Sequence, residues 1–147
     1  MVVVPEFLIK RIYQKGSLKK TDDGASVVLK NVLGPGFISG FNYVEINGVK
    51  YEPQDVKFIT NDQELLGTEV SEANPVAFRL GQSGTLVMSG KPCLVDGTNK
   101  IIIEAMNPEA GKVILSWLPL LRLEISAVGA GILRLNFGRK PRRSLAY

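Results

Sequence analysis

Few side chains in this sequence could do chemistry, because the chain contains no histidine. That absence excludes Ser-His-Asp and Cys-His catalysis, imidazole metal ligands and the usual proton shuttle at neutral pH. Ser83 lies in GQSGT, but Gly84 stands one place too early for the G-x-S-x-G nucleophile motif, which favours a turn. Cys93 follows Pro92 in a short apolar run where nothing visible would lower its pKa, so we expect a small buried residue.

Carboxylates are the remaining groups that could support catalysis or bind a metal. The candidates are Asp22 with Asp23, Glu64 with Glu69 or Glu72, and Glu104. Hydrolysis by a carboxylate pair, or binding of Mg²⁺ or Ca²⁺, requires several such groups to meet in space, and a sequence does not show such a meeting. Asp22-Asp23-Gly24 lacks the spaced oxygen ligands of a calcium loop and favours a turn. We expect no cofactor and no metal, and the balance leans against an enzyme.

Glycines and aromatic residues suggest two kinds of ligand site. The stretch LGPGFISG at 33–40 lacks the context of a Walker or dinucleotide-binding loop, which favours a structural corner. A stacking surface for a sugar or a base could be formed by four aromatic residues, Tyr13, Tyr43, Tyr51 and Trp117. Trp117 alternates in phase with Val113 and Leu115, which favours core or interface. A pocket lined by Tyr43, Tyr51 or Trp117 would instead indicate a ligand or carbohydrate module.

The elements that position these residues follow the pattern of an all-β protein, with short apolar segments between Gly and Pro clusters. Strands are predicted at 7–13, 25–33, 56–60 and 85–90, with a turn at 96–99. Asn47-Gly48 predicts a tight hairpin within 41–51, and NPEAG predicts a second between the strands at 100–106 and 112–118. Both faces of that second pair are apolar, which favours a central position or a subunit contact. Residues 61–75 suit a loop, a short edge strand or one helical turn.

The end of the chain combines an apolar alternation with a basic tail. Period-two positions before and after a small-residue turn predict a terminal hairpin within 119–147. Four cations follow, Arg139, Lys140, Arg142 and Arg143, and they account for the whole formal net charge of +4. They are the candidate anion-binding residues. The candidate interface residues are Trp117, Leu121, Leu123, Leu133, Leu135, Phe137, Leu145 and Tyr147.

Length and composition favour one domain over residues 1–147. About eight to ten short strands predict an immunoglobulin-like β-sandwich, with a β-barrel as the alternative. The single cysteine cannot form an internal disulfide, and the first residues lack the pattern of a secretory leader, so we expect a cytoplasmic setting. The longest later apolar stretch, at 113–121, falls far short of a bilayer span, so we expect a soluble protein without membrane insertion.

The stretch KGSLKKTDDGASVVLKNVLGPGFISGF, with NPVAFRLG and the strands up to KVILSW, resembles a set of small uncharacterised archaeal and bacterial proteins. Those share a K-G-S-L-x-N-T-x-x-G start and an L-K-N-x-L-x-P-G-T-I corner. The resemblance covers roughly residues 5–118 and implies a compact β-sandwich with no assigned activity. The chain departs from the pattern at Phe37, where Thr is usual, and after Trp117.

The leading hypothesis is a non-catalytic β-sandwich that acts through protein contacts, as a homo-oligomer built on its terminal hairpin and tail. An apolar content of 45% with a two-sided apolar sheet supports a buried interface. A second hypothesis is binding of nucleic acid or an anionic surface by the tail with Lys10, Arg11 and Lys15. Nucleic acid is the less favoured partner. The third is the ligand or carbohydrate module.

Overall fold

The computed structural model describes residues 1–121. It contains one short α-helix, α1 (Glu6–Ile12), and fourteen strands. The strands are β1 (Val2–Val3), β2 (Lys19–Lys20), β3 (Ala25–Lys30), β4 (Gly36–Ile38), β5 (Gly40–Ile46), β6 (Val49–Tyr51), β7 (Val56–Ile59), β8 (Glu64–Leu66), β9 (Val76–Phe78), β10 (Ser83–Met88), β11 (Gly97–Thr98), β12 (Ile101–Asn107), β13 (Gly111–Trp117) and β14 (Leu120–Leu121). Single 3-10 turns cover Pro53–Asp55 and Gly67–Glu69.

Two five-stranded sheets form the sandwich. One has the order β1-β13-β12-β5-β6, and the other has the order β2-β3-β10-β7-β8. Two short ribbons, β4 with β9 and β11 with β14, complete the strand pairing. The described strands close no barrel, so the prediction of an all-β sandwich is confirmed and the barrel alternative is not. Among residues 1–121, no helix is long and apolar enough to cross a membrane.

Two of the three predicted hairpins are present, and nearly all of the third, predicted within 119–147, lies outside the described residues. Asn47 and Gly48 have φ of 53° and 84°, the left-handed backbone that a two-residue hairpin turn requires, and they join β5 to β6. β12 and β13 pair in antiparallel register around Asn107–Gly111, with Ile103 opposite Leu115. β12 lies between β13 and β5, which confirms the central position expected from its two apolar faces.

The first predicted strand is wrong, because residues 6–12 form α1. Pro5 is the N-cap, Glu6 lies in the first turn, and Lys10 and Arg11 lie in the last turn, an arrangement that complements the helix dipole. Ile9 and Ile12 are buried at helical spacing, and the helix contacts β3 of one sheet and β13 of the other. The helix therefore closes one side of the sandwich. Its apolar residues follow helical spacing, not the alternation of the predicted strand.

The core lies between the two sheets and is built from alternate residues of their strands. One sheet contributes Val27, Leu29, Val56, Phe58, Leu86 and Met88, and the other contributes Phe41, Val44, Ile46, Ile101, Ile103 and Leu115. Strict alternation back from Val44 would turn Asn42 inward and Phe41 outward. The register between β5 and β12 shifts between Glu104 and Ala105, and this bulge buries Phe41 instead.

Candidate functional site

A pocket of about 840 Å³ lies where α1, the loop after it, the end of β13 and β14 come together. We call it the Trp117 pocket. Val4, Ile9, Leu18 and Leu121 form buried parts of its wall. Its volume falls within the ~300–1,000 Å³ that is typical of small-molecule sites.

Tyr13 and Trp117 stand next to each other in this wall. Their ring centroids lie 5.6 Å apart with an interplanar angle of 49°. The Tyr13 hydroxyl and the Trp117 Nε1 are both buried, and neither has a hydrogen-bond partner among the described residues. Burying a hydroxyl or an indole N–H without a partner costs about 1–3 kcal/mol, so such groups are rare in native proteins. Both residues line the pocket, so its wall contains two side chains whose donors are not satisfied by described residues.

Three lysines also line the pocket: Lys10 in the last turn of α1, Lys15 in the following loop, and Lys100 directly before β12. All three are exposed, and none forms an ion pair with a described residue. Glu6 is the carboxylate in the lining. The described lining residues therefore carry more positive than negative charge, which favours an anion over a cation.

Hydrogen bonds from two asparagines hold the Lys100 side of the pocket. The Asn47 backbone N–H donates to the Lys100 carbonyl, and the Lys100 N–H donates to Asn47 Oδ1, both at 2.9 Å. Asn47 Nδ2 donates at 2.8 Å to Oδ1 of Asn99, whose own backbone N–H donates to the Pro119 carbonyl. These bonds connect the Asn47-Gly48 turn to Lys100 and, through Asn99, to Pro119. Both Lys100 and Pro119 line the pocket.

Tyr43 and Tyr51, the other aromatic candidates, do not line the Trp117 pocket. Lys50 Nζ lies 4.5 Å from the centroid of the Tyr43 ring, and burial, with Glu104 and Glu45 nearby, raises the Tyr43 pKa. Tyr51 is fully buried and its hydroxyl donates to the Lys91 carbonyl. The expected stacking surface is therefore divided, and the structure brings Trp117 together with Tyr13 alone.

Cys93 lies beside Tyr51 and is half-buried, whereas the sequence predicted a buried residue. Burial raises the pKa of its thiol, and a hydrogen bond with Tyr51 lowers it by less. The thiol form therefore dominates at neutral pH, which argues against a nucleophilic role.

The carboxylate candidates are dispersed. Glu64 pairs with Lys57 at 3.2 Å, and Glu69 Oε1 accepts the Leu66 N–H at 2.8 Å. Glu104 accepts from Asn42 Nδ2 at 2.7 Å. Residues 1–121 contain no group of three or more acidic or cysteine side chains that could hold a metal ion.

Three predicted turns are partly strand, and the one predicted at 96–99 contains β11. Ser83 and Gly84 belong to β10, so the turn predicted at GQSGT is confined to the residues before them. The glycine corner at 33–40 contains β4, which pairs with β9. A Cβ at Gly84 would lie 2.5 Å from the Phe58 ring, so this glycine serves close packing.

Trp117 and Leu121 are the candidate interface residues within the described part, and both line the Trp117 pocket. The other interface candidates and the four tail cations lie in 122–147, outside the described residues. The sequence placed Tyr13 and Trp117 in one aromatic group, but it did not single out Lys100 as part of a site with them. Chain separation hides that grouping from any local pattern.

Comparison with known proteins gives one finding. A search of curated proteins found no match. The sequence model of the family described as Hydroxymethylglutaryl-CoA reductase, N-terminal domain, matches residues 8–116, about three quarters of the chain. That range contains Lys10, Tyr13, Lys15 and Lys100 of the pocket and ends directly before Trp117. The resemblance to small uncharacterised proteins stays a prediction. Because the match covers well over half of its length, this chain belongs to the family Hydroxymethylglutaryl-CoA reductase, N-terminal domain.

Proposed function

We propose that this chain is a ligand-binding module and that the Trp117 pocket takes an anionic small molecule that carries a ring. One observation supports the proposal above the others. Tyr13 and Trp117, whose buried donors have no described partners, line the same pocket as three lysines that form no ion pair with described residues. This combines the stacking and anion-binding hypotheses at one place.

The chemistry of the wall defines the ligand. An indole N–H and lysine ammonium groups donate hydrogen bonds and accept none, so the ligand must present acceptors. Phosphate or carboxylate oxygens satisfy both this need and the positive charge. The Tyr13 and Trp117 rings supply apolar area for a ring of the ligand.

The family description suggests a first ligand to test. It names a reductase of a coenzyme A thioester. Coenzyme A carries phosphates and a purine ring, the two features that this wall favours. We therefore propose a coenzyme A thioester as the ligand, bound by the module.

Isothermal titration calorimetry of the full chain with hydroxymethylglutaryl-CoA and with coenzyme A tests the proposal. Trp117→Phe and Tyr13→Phe retain the rings and remove the donors, and each should weaken binding about tenfold. Lys100→Ala should weaken binding and reduce its salt dependence. Lys20→Ala is the matched control, because Lys20 is exposed and does not line the pocket.

Saturable binding that Trp117→Phe weakens and Lys20→Ala leaves unchanged is the expected result. If neither hydroxymethylglutaryl-CoA nor coenzyme A binds, the proposed ligand is wrong. Binding that none of the pocket variants alters overturns the proposed site. Circular dichroism of each variant shows whether the sandwich is retained.

Self-association is a second proposal, favoured by exposed apolar side chains in the lining of the Trp117 pocket. Leu118 and Leu120 are 64% and 55% exposed, directly before the segment that contains most interface candidates. Light scattering coupled to size exclusion should show an oligomer for the full chain and a smaller species for a variant ending at Gly138. A Leu118→Ser and Leu120→Ser double variant should likewise dissociate. A monomer in every case overturns self-association.

A further inference from the structure

A second cavity, of about 390 Å³, lies between the two five-stranded sheets. We call it the phenylalanine cavity, after Phe41, Phe58 and Phe78 in its wall. Its lining reaches core residues as deeply buried as Leu86 and Ile103, which are 1% and 2% exposed. At the surface its lining includes Leu33 and Phe37, which are 53% and 50% exposed. The space therefore leads from an apolar opening into the core.

The aromatic part of the wall is held in place by a glycine. Phe58 packs against Phe41 with ring centroids 5.5 Å apart and against Phe78 at 5.3 Å. The Phe58 ring also covers Gly84, where a Cβ would come within 2.5 Å of two ring atoms. Because position 84 has no side chain, the ring lies close to the β10 backbone and leaves space between the sheets.

The two asparagine side chains in the wall, Asn31 and Asn107, already form hydrogen bonds with backbone groups. Asn31 Nδ2 donates to the Gly34 and Phe78 carbonyls, both at 2.7 Å, and its Oδ1 accepts from two backbone N–H groups of the same loop. Asn107 Nδ2 donates to the Phe37 carbonyl at 3.0 Å, and its Oδ1 accepts the Glu109 and Ala110 N–H groups. Neither side chain retains strong hydrogen-bonding capacity for a ligand. A polar ligand would lose its hydrogen bonds to water there without replacement.

Lys30 is the cationic residue in the lining. It is exposed at the end of β3 and forms no ion pair with any residue of 1–121. An apolar interior with a cation at the surface matches a molecule with a hydrocarbon tail and an anionic head.

From these features we propose that the phenylalanine cavity binds the hydrocarbon chain of a free long-chain carboxylate, with the carboxylate group at the surface near Lys30. A methylene group needs ~30 Å³, close to the share of one water molecule in the liquid, so the cavity holds roughly a dozen carbons. The site is distinct from the Trp117 pocket, since Leu115 belongs to this lining and Trp117 to the other.

Calorimetric titration of the full chain with saturated carboxylates of eight to sixteen carbons tests the proposal. Affinity should rise up to about fourfold with each added carbon and level off near twelve carbons, when the cavity is full. Dodecanol should bind more weakly than dodecanoate, because it lacks the charge that Lys30 favours. Affinity that does not depend on the length of the hydrocarbon chain would rule out the cavity as the binding site. Equal affinity for dodecanol and dodecanoate would show that the carboxylate group is not recognised.

Ala105→Leu is the decisive variant, because Ala105 lines the cavity and a larger side chain there would fill it. We expect an unchanged or higher Tm with at least tenfold weaker dodecanoate binding. Val28→Leu, a half-buried β3 residue outside the lining, is the control and should bind normally. Normal binding by Ala105→Leu overturns the proposal. If Ala105→Leu fails to fold, Phe37→Ser at the exposed rim takes its place and should also weaken binding.

Trp117→Phe separates the two proposals. It should leave dodecanoate affinity unchanged, whatever its effect on the coenzyme A thioester. Loss of dodecanoate binding in a folded Trp117→Phe variant would place the dodecanoate in the Trp117 pocket and would overturn this inference.

Discussion

Asn47 Nδ2 donates a 2.8 Å hydrogen bond to Oδ1 of Asn99, a side chain with no exposed surface. Asn99 Nδ2 in turn donates to the Val95 and Gly97 carbonyls at 2.9 and 3.2 Å, and its Oδ1 also accepts the Val95 N–H. The buried Asn99 amide therefore joins the β5–β6 turn to the loop before β11. The Asn99 backbone N–H links this residue to the chain after β13 through the Pro119 carbonyl. Its bonds hold the Lys100 side of the Trp117 pocket.

Asn99→Ala should destabilise the protein by about 2–4 kcal/mol, because it removes four side-chain hydrogen bonds of a fully buried residue and takes the partners from Val95 and Gly97 backbone groups. Urea denaturation followed by circular dichroism measures this. Asn61→Ala, at an exposed position, is the control and should change the free energy of unfolding by less than about 0.5 kcal/mol. Similar values for the two variants would contradict the role of Asn99.

Gly24→Ala should destabilise the protein by more than about 2 kcal/mol. A Cβ at Gly24 would lie 1.9 Å from the Met88 carbonyl oxygen, so the backbone must move. Gly40→Ala is the matched control, because a Cβ there meets Met106 at an ordinary 3.6 Å and the backbone is not left-handed. Thermal unfolding of both variants checks the prediction, and a smaller loss for Gly24→Ala than for Gly40→Ala would refute it.

Tyr51 should make stability fall in alkaline solution. Burial, assisted by Cys93, raises its pKa above 10, the usual value. The unfolded chain therefore loses this proton first, so the stabilisation is complete below pH 10 and is lost as pH rises through the folded-state pKa. Tyr51→Phe should cost about 1–2 kcal/mol at pH 8, since the Lys91 carbonyl loses its donor.

Urea denaturation of wild type and Tyr51→Phe at pH 8 and pH 11 measures both effects. The difference between the two proteins should shrink at the higher pH, because only the wild type carries Tyr51, whereas both carry Tyr43. A difference that stays constant would show that Tyr51 does not contribute to the alkaline loss.

Cys93 should react slowly with thiol reagents in the folded protein. Burial raises the pKa of its thiol, so the reactive thiolate is a smaller fraction at pH 8 than in a free cysteine. The rate with Ellman's reagent should increase severalfold or more in 6 M guanidinium chloride. A folded-state rate equal to that of a free thiol would contradict the half-buried position.

Hairpins and central strands were predictable because their signals are local. Asn47-Gly48 specifies its turn through positive φ, and the two apolar faces of Ile101–Asn107 indicate a strand covered on both sides. Residues 6–12 were misassigned because a seven-residue amphipathic helix and a short strand share much of their apolar pattern. The contacts of α1 with β3 of one sheet and β13 of the other, with Ile9 and Ile12 buried, decide in favour of the helix.

The all-β class, the hairpins at Asn47-Gly48 and NPEAG and the lack of histidine chemistry could be read from the amino-acid order and composition, because period-two burial, turn residues and residue counts are properties of neighbouring positions or of the whole list. The grouping of Lys10, Tyr13, Lys100 and Trp117 around one pocket is visible only in the folded chain. The same is true of the bulge that turns Phe41 into the core and of the room that Gly84 leaves for Phe58. Sheet register and packing bring these residues together across long stretches of chain, and no local spacing encodes that proximity.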